Sequence, residues 1–413
     1  MAREGEREER RRSRGRTAFL LVYLPLSVSL PAQDVWINLE PLRPPRQELG
    51  VGTVGGLVYV VGGILENRSA TARADRYDPV SNTWERIDDI PLALHHPNVA
   101  GLEGRLFVLG GLDGGFQGVS DCFAFDPLTG DWEGIASMPT RRGASATAVL
   151  GGRVFVAGGQ RGGTTVAEHA AYTPGPDGGS WEELPPMPTA RNHLGGAAVS
   201  GFFFALSGRA SQLRAEVERY DPVARAWSSR APIPTPRGGV AAAAIGSSIW
   251  VFGGEGNPDE PSGIFPQTEH YDVEADRWEA RPPMSVPRHG IGAAIIGDTI
   301  FIPGGADQEG YSATDAHTAF APRAEDLPGF LRGDIVRDGS MDISDAVRIL
   351  NRLFLSAPEI PCLDAADAND DGKVDISDPV RILGHLFLGD ASLPPPFGAP
   401  GGDPTPDFLD CSG

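Results

Sequence analysis

Six apolar strands each run into a glycine pair or its equivalent at near-constant spacing, and this period constrains the fold more than any other feature. LVYVVGG ends at Gly62-Gly63, LFVLGG at Gly110-Gly111 and VFVAGG at Gly158-Gly159. FFFALSG follows at Ser207-Gly208, IWVFGG at Gly253-Gly254 and IFIPGG at Gly304-Gly305. The first members of these pairs lie 48, 48, 49, 46 and 51 residues apart. After each of the first five comes a polar loop, an aromatic residue followed by a turn, and a tryptophan. These aromatics are Tyr77 and Trp84, Phe125 and Trp132, Tyr172 and Trp181, Tyr220 and Trp227, and Tyr271 and Trp278. A proline and usually an arginine close the unit, as at Arg142, Arg191, Arg237 and Arg288.

A unit of this length is a four-stranded antiparallel blade, which cannot bury both faces alone and therefore stacks radially on its neighbours. The glycine pair supplies positive φ where a central strand ends. Tyr and Trp are large enough to fill the wedge between blades while their polar atoms find partners, so they are packing residues first. Six glycine pairs but five downstream Tyr…Trp units leave the last blade one strand short. The segment from Trp36 to Arg46 reads like the tryptophan strand of the other repeats, and joining it to the sixth blade closes the ring without an exposed edge.

These repeats resemble Kelch repeats over residues 34–323, which implies an all-β six-bladed Kelch propeller and says little about activity. The resemblance places the loops after the glycine pair and those after the closing arginine on one face, around the central channel. That face is expected to carry Arg68, His96, Arg161, His193, Arg209 and Glu255 as candidate ligand-binding residues. Asp113, Phe116, Glu168, Arg214, Asp307 and Tyr311 lie on the same loops, and most such residues are ordinarily solvated.

From Phe330 to the C-terminus there are 15 acidic and 6 basic residues, and a motif recurs 33 residues apart. The first copy places Asp334, Val336, Asp338, Ser340, Asp342 and Asp345 at positions 1, 3, 5, 7, 9 and 12 of a calcium loop. The second places Asp367, Asn369, Asp371, Lys373, Asp375 and Asp378 there. In such loops the side chains at 1, 3, 5, 9 and 12 and the carbonyl at 7 ligate the ion, and glycine at 6 permits the turn. Gly339 and Gly372 stand at that sixth position. Val336 lacks the oxygen expected at position 3, so the first site is the weaker. Val347, Leu350, Leu353 and Phe354, and again Val380, Leu383, Leu386 and Phe387, follow at helical spacing and are expected to pack the two helices together.

This tandem resembles a type I dockerin, on the match LDAADANDDGKVDISD. The resemblance implies two bound Ca²⁺ ions in a small all-α, EF-hand-like module over residues 324–413. It also implies docking to a cohesin-like receptor through the helix faces and Ile343, Ser344, Ile376 and Ser377.

Residues 1–33 read as a signal peptide: a basic stretch from Arg3 to Arg16 precedes an apolar run from Ala18 to Leu30, too short to span a membrane. The expectation is a secreted or cell-surface monomer. The net charge of 35 − 55 = −20 excludes a nucleic-acid partner, which needs a basic face. Cys362 and Cys411 are the expected disulfide, with Cys122 a buried free thiol.

The functional expectation is a non-catalytic binding protein, its propeller face taking a protein or glycan ligand. The alternative is a carbohydrate-active enzyme similar to sialic-acid mutarotases. Their catalytic acid follows a glycine pair, as Glu255 follows Gly253-Gly254, but the arginine expected shortly after it is absent. Galactose-oxidase-like copper chemistry is not expected, because that resemblance calls for seven blades and a further ligand-supplying domain. Binder and enzyme are separated by whether the central channel holds a desolvated carboxylate facing an arginine.

Overall fold

The computed structural model describes residues 34–323 continuously. C-terminal to these it describes all residues apart from 324–325, 327–328, 356, 359, 399, 404, 406–408, 410 and 412–413, and it describes none of 1–33. The expected signal peptide lies outside the described residues.

Six four-stranded antiparallel sheets form the propeller. Within blade 1 the order is Gly50–Val54, Leu57–Val61, Ala74–Asp78, Thr83–Ile87. The next four blades repeat it. In blade 6 the outer strand is Val35–Asn38, paired antiparallel with His317–Ala321 so that Trp36 lies opposite Phe320. The segment expected from the tryptophan spacing thus completes the ring.

In every blade the aromatic and the tryptophan are direct cross-strand partners, from Tyr77 opposite Trp84 to Tyr271 opposite Trp278. Each indole N–H reaches back to a backbone carbonyl of the preceding blade. Trp132 donates to Asp88 (2.8 Å), Trp181 to Ala136 (2.8 Å), Trp227 to Pro185 (2.9 Å) and Trp278 to Ala231 (2.9 Å). Trp84 donates to Glu40 and Trp36 to Pro282 in the same way. The wedge between each pair of adjacent blades holds one hydrophobic cluster; Tyr77, Val58 and Leu49 meet Phe301 and Ala294 across the closure. These tryptophans are half-buried, and an indole that covers apolar surface while its N–H finds an acceptor stabilises without an unsatisfied polar atom.

Nearer the axis, the closing arginines are fully buried. Arg142 donates to the Val156 carbonyl (3.0 Å), Arg191 to Ala205 (2.8 Å) and Arg237 to Val251 (3.0 Å), each fastening its loop to the second strand of the following blade. Three have an acid on that blade's third strand: Arg46 with Asp75, Arg191 with Glu218 and Arg237 with Glu269. Where Leu94 replaces the arginine, Phe123 takes the acid's place and packs in the same apolar cluster. Arg142 and Arg288 have no such acid and are held instead by backbone carbonyls and a threonine hydroxyl each.

The C-terminal residues form helices Ile343–Phe354, Leu363–Ala366 and Ser377–Leu383. Arg332, fully buried, donates to the Asp367 carbonyl (2.6 Å) and the Asp403 carboxylate (2.9 Å). Cys362 is bonded to Cys411, and Cys122 is free and buried. One expectation holds only in part: Leu383 and Leu386 pack in the core of this segment. The helices meet through Ala346, Ile349 and Ile382 with Ile335, Ile360 and Leu393, whereas Val347, Leu353, Phe354, Val380 and Phe387 are exposed. Helical spacing identifies an apolar stripe but not which stripe faces the partner helix.

Deleting residues 34–38 removes the outer strand of blade 6 and the Trp36 wedge. The thermal midpoint is expected to fall by about 5 °C or more. An unchanged midpoint would show that the closure contributes nothing.

Candidate functional site

The residue two places after each closing arginine, or after Leu94, lines the axis: Glu48, His96, Ala144, His193, Gly239 and Gly290. All six are in the left-handed region, with φ between 52° and 70°. Their backbones form a closed circle of hydrogen bonds. The N–H of Glu48 donates to Gly290 O (2.8 Å), His96 to Glu48 (2.7 Å), Ala144 to His96 (3.0 Å), His193 to Ala144 (2.9 Å), Gly239 to His193 (2.9 Å) and Gly290 to Gly239 (2.9 Å). An L-residue in this conformation costs roughly 1–2 kcal/mol, which glycine avoids. That Glu48, His96 and His193 occupy three of the six places is backbone strain gathered at one point, as functional sites show.

Above the circle lies a cavity of about 290 Å³, and below it a smaller one of about 90 Å³. Glu48, His96 and His193 line both. The upper cavity is also lined by the residues that follow four of the glycine pairs, namely Ile64, Gln160, Arg209 and Glu255, and by His289, Phe116, Glu309 and Tyr311.

Six side chains converge there. Glu255 is 3% exposed and is paired with Arg209 from the preceding blade. Arg209 Nη2 lies 3.1 Å from His193 Nε2, which must accept because a guanidinium only donates. His193 Nδ1, 2.6 Å from Asn192 Oδ1, therefore carries the ring proton. His96 Nε2 is 2.9 Å from both Glu48 Oε2 and His193 Nε2. His289 Nε2 faces the Gln308 carbonyl at 3.0 Å, while its Nδ1 sits 3.5 Å from Glu48 Oε1 and 3.5 Å from Glu255 Oε2 with no hydrogen-bond partner. Glu48, His96 and His193 each bring a ligand atom within 4.8 Å of the others, and Glu48, Glu255 and His289 do likewise.

The electrostatics follow from burial and neighbours. Burial alone raises the Glu48 carboxyl, but the imidazoles of His96, His289 and His193 outweigh it and hold the group well below the ordinary range. Burial lowers His289, yet the Glu48 and Glu255 carboxylates reverse this and its pKa is raised. Burial, then Arg209, depresses His193 well below its ordinary value. Burial and the neighbouring His96 lower His95 to about 4. The centre thus sets a carboxylate beside one imidazole whose charged form is favoured and one whose neutral form is favoured, an arrangement suited to moving protons.

Of the residues expected on this face, His96, His193, Arg209 and Glu255 meet in the pocket, with Phe116 and Tyr311 at its mouth. Arg68 and Arg161 do not line it. Arg68 stacks over Tyr311 at 5.1 Å, and Arg161 pairs with Glu168 at 3.0 Å while its neighbour Gln160 faces the cavity. Asp113 caps its own loop by accepting from Gly115 and Gln117. Glu48 and His289 go unrecognised in the sequence, although their positions after Arg46 and Arg288 are those of His96 and His95 after Leu94. Glu255 is not the solvated loop residue its surroundings suggest. Its ion-pair partner, Arg209, comes from the neighbouring blade.

In the C-terminal segment, Asp334 accepts from the backbone of Asp338 and Gly339, and Asp345 from Ile335, Val336 and Asp342. The second copy is equivalent: Asp367 accepts from Asp370, Asp371 and Gly372, and Asp378 from Asn369 and Asp375. Positions 1 and 12 therefore tie each loop to its own backbone. Among the described residues, no three carboxylates of either loop bring their oxygens within 4.8 Å of one another, and Asp338 and Asp342 are exposed.

Residues 50–254 match the KLHDC2/KLHL20/DRC7 Kelch-repeats domain and residues 236–285 the Kelch motif. The propeller is a Kelch-repeat propeller. Similar curated proteins include the Kelch-like protein terF of Aspergillus terreus, 35% identical over 81 residues (20% of this chain, 18% of that protein). Kelch-like protein 15 of Danio rerio is 32% identical over 62 residues (15% and 10%), and Kelch-like protein 23 of Homo sapiens 31% over 65 residues (16% and 12%). The chain spans less than a fifth of the length of each of these relatives. Among solved structures, that of YjhT superposes with a TM-score of 0.57 at 16% identity, covering 67% of this chain and 96% of that one, and shares the fold.

The histidines set an acid limit on stability. Besides His95 and His193, burial between blades lowers His169 and His317 to about 3 each. A histidine with a depressed folded value contributes stability that is present above its unfolded value near 6.5 and is lost as pH falls. The raised His289 acts in the opposite sense, its contribution being full below 6.5 and lost as pH rises through its folded value. With His270, also lowered by burial, five depressed groups outweigh one raised group. The thermal midpoint is therefore expected to drop between pH 6.5 and 4, each histidine contributing up to roughly 1.4 kcal/mol per pH unit. His169→Phe is expected to make the slope shallower. A midpoint flat from pH 7 to 4 would contradict the assignment.

Proposed function

We propose that the chain is an exported two-module protein whose propeller carries out acid–base chemistry on a small saccharide in the axial pocket. The observation that carries this reading is the buried Glu255 carboxylate, fixed by Arg209 and facing His289 across the same cavity. A purely adhesive face has no need of a desolvated acid between an arginine and an imidazole. The cavity is of single-sugar size. The reaction of the sialic-acid mutarotase type suits these groups. Glu255 removes the anomeric hydroxyl proton, the protonated His289 gives a proton to the ring oxygen, and the carbon–oxygen bond opens. Reclosure on the other face returns both protons, with no oxidant or co-reactant required.

A second reading keeps the propeller as a non-catalytic module binding a protein or a glycan. The exposed Phe116 and Tyr311 at the pocket mouth, with Arg68 over the Tyr311 ring, support it, because aromatic and arginine side chains are the usual anchors of such contacts.

For the C-terminal module the same proposal assigns two Ca²⁺ ions, one to Asp334, Asp338, Asp342 and Asp345 and one to Asp367, Asn369, Asp371, Asp375 and Asp378. The exposed Ile343, Val347, Ile376 and Val380 offer a face for a cohesin-like receptor.

Exchange spectroscopy of sialic acid anomers tests the first reading. Glu255→Gln is expected to lower interconversion by roughly 10²–10⁴-fold, and an inert parent protein would leave the binding reading in its place. Calorimetry on the full chain tests the second module. Two Ca²⁺ sites are expected, the tighter lost in Asp367→Ala, and equal affinities would contradict the weakening assigned to Val336.

A further inference from the structure

Proton accounting at the axis leaves a gap that a metal ion fills. Glu48 Oε2, His96 Nε2 and His193 Nε2 converge on one point, with His96 Nε2 2.9 Å from each of the other two. His193 Nε2 is a lone pair, because its Nδ1 donates to Asn192 Oδ1. The carboxylate can only accept. One proton, on His96 Nε2, is thus shared between two acceptors in a pocket floor from which water is largely excluded. On the other side of the same carboxylate, Glu48 Oε1 and Glu255 Oε2 confront the unpartnered, 1% exposed Nδ1 of His289. Two acids and three imidazoles, from loops at four blade junctions, are packed where three of them adopt a strained backbone.

We propose that the axis of the propeller is a divalent transition-metal site with Glu48, His96 and His193 as its protein ligands. Two imidazoles and one carboxylate are the donors of catalytic zinc and of related open sites, and they select against Ca²⁺ and Mg²⁺, which prefer oxygen alone. The outer partners are those that metal-binding histidines require. Asn192 Oδ1 holds the His193 tautomer, and the His95 ring, with its Nδ1 2.5 Å from His96 Nδ1, orients His96. The ion replaces the shared proton, so His96 Nε2 is deprotonated on binding. Arg209 must give up its contact with His193 Nε2. Its side chain is a third exposed and retains Glu255, so it can turn toward the pocket mouth. The free positions of the ion face the 290 Å³ cavity. There it would polarise an oxygen of whatever ligand enters.

This inference rests on the axial pocket being the functional centre but not on anomerisation. Full-length protein, stripped with a chelator and held in excess Ca²⁺ to satisfy the acidic C-terminal loops, is titrated with Co²⁺ and followed by visible absorption. One Co²⁺ per chain with a nitrogen-ligand d–d spectrum is expected. His193→Ala and Glu48→Gln are expected to bind at least roughly tenfold more weakly. His96→Cys keeps a ligand and is expected to retain Co²⁺ with a new thiolate charge-transfer band, which a folding defect would not produce. The proposal is overturned if the parent protein takes up no Co²⁺ in Ca²⁺, or if uptake is the same in all three variants. Co²⁺ uptake without sugar turnover would remove the enzyme reading alone, and turnover without uptake the metal site alone.

Discussion

The closed circle of six backbone hydrogen bonds around the axis is the constraint on which the rest of the structure depends. Each blade contributes one N–H and one carbonyl to it, so no blade can shift radially without breaking contacts to two neighbours. A second set of contacts lies just outside. In five of the six pairs the N–H of the second glycine donates to the carbonyl of a closing arginine, as Gly111 does to Arg142 and Gly305 to Arg46, and Gly63 donates to Leu94 in the same way. Both sets require positive φ. At Gly62 a side chain would also collide, since a Cβ there would lie 2.4 Å from the Leu94 carbonyl oxygen. The glycine pairs are thus the local price of bringing six strands to a common axis.

Once that frame is fixed, side chains on it are held without freedom to relax. Glu48, His96 and His193 sit on left-handed backbone where glycine would be more stable, as Gly239 and Gly290 show at equivalent places. Because each is fixed by a backbone bond to its neighbour, the distances between their polar atoms are set by the propeller rather than by loop conformation. Preorganisation of this kind is what acid–base or metal chemistry needs. It also explains why the candidate site is small and axial while the outer loops mostly cap themselves.

Much of this was legible in the repeats. The period announced six blades, the Tyr…Trp spacing gave the outer hairpins, and the unmatched Trp36 gave the closing strand, because each is a local pattern repeated six times. The site was legible only in part. His96 and His193 could be placed by their position after the repeat's end, but Glu48 precedes the first complete repeat and His289 stands one residue earlier than they do. The partner of Glu255 was sought along the chain and arrives instead from Arg209 of the adjacent blade, a contact that exists only after radial stacking. In the C-terminal segment, periodicity showed two amphipathic helices. It did not show that Ala346 and Ile349, rather than Val347 and Phe354, face inward, since both stripes are apolar.

The account stands on the axial circle being intact and cooperative in solution. Residue-resolved amide hydrogen exchange on the full chain measures this directly at Glu48, His96, Ala144, His193, Gly239 and Gly290. The prediction is that all six amides exchange slowly and at a common free energy close to that of global unfolding. If the amides of Glu48, His96 or His193 exchange rapidly while those of the blade strands stay protected, the circle opens locally and the side chains it carries are not held as described.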